Sequence, residues 1–222
     1  MGAPYDAVFF DLDGTLLDTA GHIVESLRHA LDVHVDYRPS DAVLISGIGT
    51  PLYEQMVMHG ATALGHEAPA EVVQKLHDTY IEHNRSTHDE RVSAFESVPA
   101  TVKALHERGV VLGIVTSKPN EIARRGLQIT GLSSFFPLVI GFDDVAIPKP
   151  DPTPVRDALN FFGLSPTQAI FIGDSPHDIH AGNGAGVATG AAGWGPFDPD
   201  VLRASNPTYW FEDVRAVLDL VP

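Results

Sequence analysis

The chain has 222 residues, 44% of them hydrophobic, which suits one α/β domain with an inserted subdomain or two small domains and excludes a disordered chain. Its formal net charge of −15 argues against nucleic acid or an anionic membrane as a partner, because both are held through basic surface. Cysteine is absent, which removes disulfides and thiolate metal sites. Asp6 and Asp11 interrupt the early apolar run, so no signal-peptide pattern is read there, and no apolar stretch approaches the roughly 18 residues of a membrane helix. A cytoplasmic protein is expected.

The first element is the apolar run Ala7-Val8-Phe9-Phe10, read as a buried strand. It ends in Asp11-Leu12-Asp13-Gly14-Thr15, so two acids stand at the carboxyl end of that strand, where open α/β sheets form ligand sites. Gly14 permits a sharp turn, which lets both acids face one cavity. Close carboxylates repel, and a bound cation is the natural way to keep both ionised.

From about Asp18 to Glu90 the pattern is helical, with Ile23, Leu27 and Ala30 and then Val73, Leu76 and Tyr80 at helical spacing. Breaks fall at Arg38-Pro39, Gly47–Pro51 and Gly65–Pro69, and no strand is predicted in this stretch. It reads as an α-helical subdomain over 18–94, joined through Asp18–Gly21 and His88–Phe95 to a core made of 1–17 and 95–222. Three more apolar runs follow at 110–115, 138–141 and 169–172. They lead into Thr116-Ser117-Lys118, into Asp143-Asp144 and on to Lys149, and into Gly173-Asp174. Amphipathic helices fall between them (Val98, Val102, Leu105; Val155, Leu159, Phe162). A final strand or loop at 209–211 and a closing helix at 214–220 complete the chain. The alternation predicts an α/β fold, a Rossmann-like three-layer α/β/α core with a parallel sheet plus the helical insert.

Every polar group in this series ends its run, so all should gather at one sheet edge: Asp11, Asp13, Thr116, Ser117, Lys149, Asp174 and Asp178. Carboxylate oxygens favour Mg²⁺, and no histidine or cysteine shares the pattern, so acyl-transfer chemistry is not suggested. Phosphoryl transfer fits, because positioning and charge neutralisation supply most of its catalysis. Lys149 and the metal are read as the only strong local cations.

The ordered series Asp-x-Asp-Gly-Thr, Thr-Ser-Lys, Lys149-Pro150 and Gly173-Asp174-x-x-x-Asp178 resembles the haloacid dehalogenase superfamily of phosphotransferases. The position of the insert resembles the helical cap of its phosphoglycolate phosphatase-like and β-phosphoglucomutase-like members. The resemblance implies that Asp11 is a nucleophile forming an aspartyl-phosphate and a metal ligand. It implies that Asp13 is general acid and base and holds the metal through its backbone carbonyl, and that Asp174 is a direct metal ligand. Thr116, with Ser117 and Gly14, would contact the phosphoryl group, Lys149 would neutralise charge, and Asp178 would orient Lys149 or a metal-bound water.

Several of these residues also have a plainer reading. Lys149-Pro150 alone reads as a surface turn, and Thr116-Ser117 and Asp174-Ser175 read as helix caps ahead of Pro119 and Pro176. His177 reads as an exposed histidine. The loop Gly47–Leu52 is expected to face the site, and Arg85 or Arg91 could bind a second anionic group. Both resemble features of phosphoglycolate phosphatases and of bacterial pyrophosphatases of this superfamily. The expected activity is Mg²⁺-dependent hydrolysis of a small phosphate ester, 2-phosphoglycolate first, with pyrophosphate hydrolysis or a sugar phosphomutase as alternatives. A phosphate-binding module without turnover is the alternative of another class. Oligomeric state is not legible.

Overall fold

Ala7–Phe10 (β1) is apolar at every position because both of its faces are covered. In the computed structural model, which describes residues 4–222, all four of its residues are fully buried. Beside it lie Val111–Val115 (β4) on one edge and Ala169–Gly173 (β6) on the other. Both pairings are parallel, with Phe10 opposite Ile114 and Ile172. Leu138–Ile140 (β5), Ala188–Ala192 (β7) and Tyr209–Phe211 (β8) extend a six-stranded sheet of order β5-β4-β1-β6-β7-β8, parallel throughout. Such a sheet needs helices on its faces, and the sequence supplies them between strands.

Helices Val98–Glu107 (α5), Asn120–Ile129 (α6), Thr153–Phe162 (α7), Pro176–Ala185 (α8) and Pro199–Ala204 (α9) belong to this unit. One core layer joins Phe9, Val115 and Phe171 of the sheet to Val155, Ala158 and Leu159 of α7 and to Ala181 and Ala185 of α8. Strand alternation turns Phe10 to the opposite face, where its ring meets the edge of Phe136. Val98, Val102 and Leu105 are fully buried on α5, the stripe that the sequence periodicity anticipates. The closing segment Val214–Asp219 forms a 3-10 helix.

The chain forms two compact units, one running to Asp18 and resuming over Ser93–Pro222, the other Thr19–Val92. These divisions differ by one or two residues from boundaries at 17 and 95. The reason is a two-stranded antiparallel pairing that the sequence does not announce: Leu17–Asp18 (β2) lies against Ser93–Ala94 (β3) and keeps all four residues with the sheet-bearing unit. Within Thr19–Val92 the elements are Ala20–His34 (α1), Asp41–Ser46 (α2), Leu52–Leu64 (α3) and Ala70–Arg91 (α4). Ile23, Leu27 and Ala30 of α1 and Val73 and Leu76 of α4 are buried. The α1–α4 seam also holds polar contacts, with Asn84 Nδ2 donating to Ser26 Oγ at 3.2 Å and His22 Nε2 lying 2.9 Å from Thr87 Oγ1. No helix among the described residues is long and apolar enough to cross a membrane.

Phe9 is fully buried and stacks on Phe162 with ring centroids 6.0 Å apart. Phe9→Ala leaves a cavity in the layer between the sheet and α7, and is expected to destabilise the protein by about 3–5 kcal/mol. Urea denaturation followed by circular dichroism measures this, and a loss below about 1 kcal/mol would place Phe9 outside the cooperative core.

Candidate active site

The carboxyl ends of β1, β4 and β6 are neighbours in the sheet, so the residues that follow them meet at one edge. After β1 the chain turns back on itself. Gly14 adopts φ +81°, donates its N–H to Leu17 O at 2.8 Å, and is followed by Leu16 N donating to Leu12 O at 2.9 Å. That left-handed conformation favours glycine, and a Cβ there would also collide with the Asp174 carboxylate. A Cβ at Gly195 would likewise collide with Asp174, at its Cβ, so two glycines clear the space in which this acid sits.

Lys149 is 4% exposed and has all three ammonium protons engaged. Its Nζ donates to Asp11 Oδ1 at 2.8 Å, to Val115 O at 3.0 Å and to Asp178 Oδ1 at 2.5 Å. A lysine that reads in isolation as a surface turn is therefore the buried hub linking the ends of β1, β4 and β6. Asp178 Oδ2 accepts from Ser175 N at 3.1 Å and Ser175 Oγ at 2.6 Å, which uses both of its oxygens. Asp174 Oδ1 accepts from Thr15 Oγ1 at 2.9 Å, while Asp174 Oδ2 is buried without a hydrogen-bond partner. Ser117 Oγ is also buried and unpartnered. Thr116 is 5% exposed, takes its place by donating its N–H to Ile140 O at 2.9 Å, and its Oγ1 accepts from Lys118 N at 3.2 Å.

One residue at this edge escaped the sequence reading. Lys118 Nζ donates to both Asp13 oxygens, at 2.9 and 3.0 Å, so Lys149 is not the only local ammonium. The Thr-Ser-Lys motif contains it, but nothing in the spacing alone aims a lysine on the loop after β4 at an acid after β1. That loop is braced from β5: Asp143 Oδ1 accepts from Asn120 N at 2.7 Å, and Phe142 N donates to Lys118 O at 3.0 Å. The N-terminus of α6 is thus served by Asp143, and Thr116 and Ser117 do not cap it as expected. Ser175 does take the N-cap position of α8 ahead of Pro176. His177 is half-buried, not exposed. In the helical unit, Arg91 Nη2 donates to Glu25 Oε1 at 3.0 Å in a pair that is about half exposed to solvent.

Ligand oxygens of Asp11, Asp174 and Asp178 lie within 4.8 Å of one another. At an effective dielectric constant near 20, each ionised pair at that spacing repels by roughly 3 kcal/mol or more, well above the value of an exposed ion pair. Three carboxylates against the single Lys149 ammonium leave two negative charges, the complement of one divalent cation. Hard oxygen donors, a buried carboxylate oxygen without a partner and this residual charge together fit a magnesium-sized ion. Burial pushes the Asp11 carboxyl up to about 7 against the pull of Lys149, with Asp178 and Asp13 adding to the rise. Asp174 is driven well above the carboxylate range by burial and then by Asp11 and Asp178. Burial alone would lower Lys149, but Asp11 and Asp178 outweigh it and raise the ammonium's pKa.

The family profile for haloacid dehalogenase-like hydrolases matches residues 8–192. A relative from Bacillus velezensis, pyrophosphatase PpaX, is 38% identical over 214 residues, covering 96% of this chain and 95% of its own. PpaX from Halalkalibacterium halodurans is 36% identical, covering 97% of this chain and 96% of its own. Among solved structures, a predicted phosphoglycolate phosphatase from Haemophilus somnus superposes with a TM-score of 0.88 at 26% identity, covering 97% of both chains.

The raised carboxyls make the stability of this edge depend on pH. A carboxyl whose folded pKa exceeds its unfolded value of about 4 stabilises the fold fully at low pH, and that contribution is lost as pH rises through about 7. A divalent cation acts in the opposite sense, because it binds the ionised form. The melting temperature without metal is expected to fall between pH 6 and pH 8, and Mg²⁺ to raise it more at pH 8 than at pH 6. Calorimetry at both pH values checks this, and equal increments would contradict the link between these acids and a cation.

Proposed function

From the premise that this chain belongs to the haloacid dehalogenase-like hydrolase family and is a phosphatase, we propose that it is a Mg²⁺-dependent pyrophosphatase working through an aspartyl-phosphate. The observation that carries the chemistry is the buried cluster of Asp11, Asp174 and Asp178 around Lys149, with Asp174 Oδ2 left open. What favours pyrophosphate over 2-phosphoglycolate is that relatives of 38% and 36% identity over nearly the whole chain are named pyrophosphatases. Phosphoglycolate is the second reading, supported by the neighbour of TM-score 0.88.

Asp11, Asp174 and the backbone carbonyl of Asp13 would hold the metal. Bound there, it supplies positive charge to the phosphoryl oxygens and keeps Asp11 ionised at neutral pH. An Asp11 carboxylate oxygen attacks phosphorus, and the bond from phosphorus to the leaving oxygen breaks. Asp13 gives its proton to that oxygen as it departs. Asp13 then takes a proton from water, the water oxygen attacks phosphorus, and the Asp11–phosphorus bond breaks to release phosphate. Lys149 neutralises Asp11 throughout, and Asp178 holds Lys149 in place. Thr116 and Ser117 donate hydroxyl hydrogen bonds to the phosphoryl oxygens. Lys118 lies beside Asp13, where a leaving phosphate would gain a second ammonium. These local cations offset a chain whose net charge of −15 repels anions at long range, since screening confines that repulsion to about 8–10 Å at cellular salt.

Phosphate release from pyrophosphate, 2-phosphoglycolate and β-glucose 1-phosphate, measured with purified protein and Mg²⁺, tests the reading. The highest kcat/KM is expected for pyrophosphate. Turnover of phosphoglycolate with none of pyrophosphate would transfer the assignment, and release from the sugar phosphate that requires a sugar bisphosphate would indicate a mutase. Asp11→Asn should retain the fold by circular dichroism and lose all but a few per cent of turnover, because the amide is a poor nucleophile.

Lys118→Met separates the roles of the two lysines. It should reduce kcat/KM for pyrophosphate by at least about tenfold, the scale of one lost charge-assisted hydrogen bond. p-Nitrophenyl phosphate, whose leaving group carries no second phosphate, should be affected less. Equal losses on both substrates would remove Lys118 from the leaving-group side.

A further inference from the structure

Beyond the residues at the ends of β1, β4 and β6, a fourth segment reaches this edge. β7 ends at Ala192, and the chain then turns through Gly193-Trp194-Gly195. Trp194 Nε1 donates to the backbone carbonyl of Thr15 at 2.9 Å. Thr15 is fully buried and in turn donates Oγ1 to Asp174 Oδ1 at 2.9 Å. Gly195 backs the same acid directly: a Cβ there would collide with Asp174 Cβ and stand 2.9 Å from Gly14 O. Asp174 is therefore gripped at its stem by the turn after β7 and at one oxygen by Thr15, while the other oxygen is buried and open.

We infer that Trp194 is a positioning residue for the metal site, acting through Thr15 to aim Asp174 Oδ2 at the cation. The indole fits this task for three reasons. Its N–H is a donor only, so the bond to Thr15 O has one polarity. Its ring is half-buried and rigid, so it anchors the turn as well as the carbonyl. Thr15 sits on the tight turn closed by Gly14 N–H to Leu17 O and Leu16 N–H to Leu12 O, and the Trp194 bond ties the carbonyl of that turn to the loop after β7. With the Trp194 bond to the Thr15 carbonyl removed, the Thr15 peptide can shift and carry its hydroxyl off Asp174 Oδ1. The carboxylate then loses the orientation that presents a single lone-pair direction inward. Groups that orient a metal ligand commonly alter metal affinity 10–100-fold when lost. Trp194 stands one link further out, so a loss of about 3–10-fold is expected.

The inference rests on the functional reading above, in which Asp174 holds the ion. Its test is calorimetric titration of the full chain with Mg²⁺, with no substrate present. Trp194→Phe keeps the ring and removes the donor, and should raise the Mg²⁺ dissociation constant about 3–10-fold. Thr15→Val should raise it as well, Thr15→Ser should restore it, and adding Trp194→Phe to Thr15→Val should cost little more, because both act along one chain of contacts. A dissociation constant unchanged in Trp194→Phe, or losses that simply multiply in the double variant, would overturn the inference while leaving the functional reading intact. A wild-type protein that binds no Mg²⁺ would overturn both.

Discussion

The whole arrangement depends on placing three carboxylates and one ammonium together, out of water, at the end of a parallel sheet. Asp11, Asp174 and Asp178 are each at most 7% exposed, and Lys149 is 4% exposed. In that setting a mutual repulsion that would be trivial at the surface becomes comparable to a fair share of a domain's net stability. Lys149 offsets part of it through two carboxylates at once. The remainder is resisted by burial, which raises the Asp11 and Asp174 carboxyls, so full ionisation of this edge calls for a further positive charge.

Stability and chemistry are separated by layer. Phe9, Val115 and Phe171 bind the sheet to α7 and α8 from below, and the same strands deliver their polar ends above. Phe171 even underlies the polar edge, with the Lys149 ammonium 5.5 Å from its ring centroid. Apart from Asp178 on α8, the polar residues themselves sit on turns, and these turns are tied to neighbours. Thr116 hangs from Ile140, Lys118 O accepts from Phe142 N, and Asn120 N donates to Asp143. Turns braced in this way can hold side chains as closely as strands do, which is what a phosphoryl-transfer site requires.

The helical unit follows a different logic. Its α1–α4 seam mixes apolar stripes with hydroxyl, amide and imidazole contacts, and Arg91 closes onto Glu25.

Much of this was legible in the residues. Apolar runs ending in acids, hydroxyls or lysine predict parallel strands with a polar edge, because strand periodicity and the burial demands of a parallel sheet act locally. Helical spacing in Ile23–Ala30 and Val73–Tyr80 likewise foretells α1 and α4 without reference to anything distant. What the linear chain could not express is which side chains from separate turns meet. The Lys118–Asp13 pair spans 105 residues, Trp194–Thr15 spans 179, and the β2–β3 pairing joins segments too short to carry a period. Lys149 reads as a turn until Asp11 and Asp178 close on it. Local periodicity belongs to the sequence, whereas the charge balance at the edge belongs to the tertiary structure, because Coulomb energy depends on distance through space and on the water that folding removes.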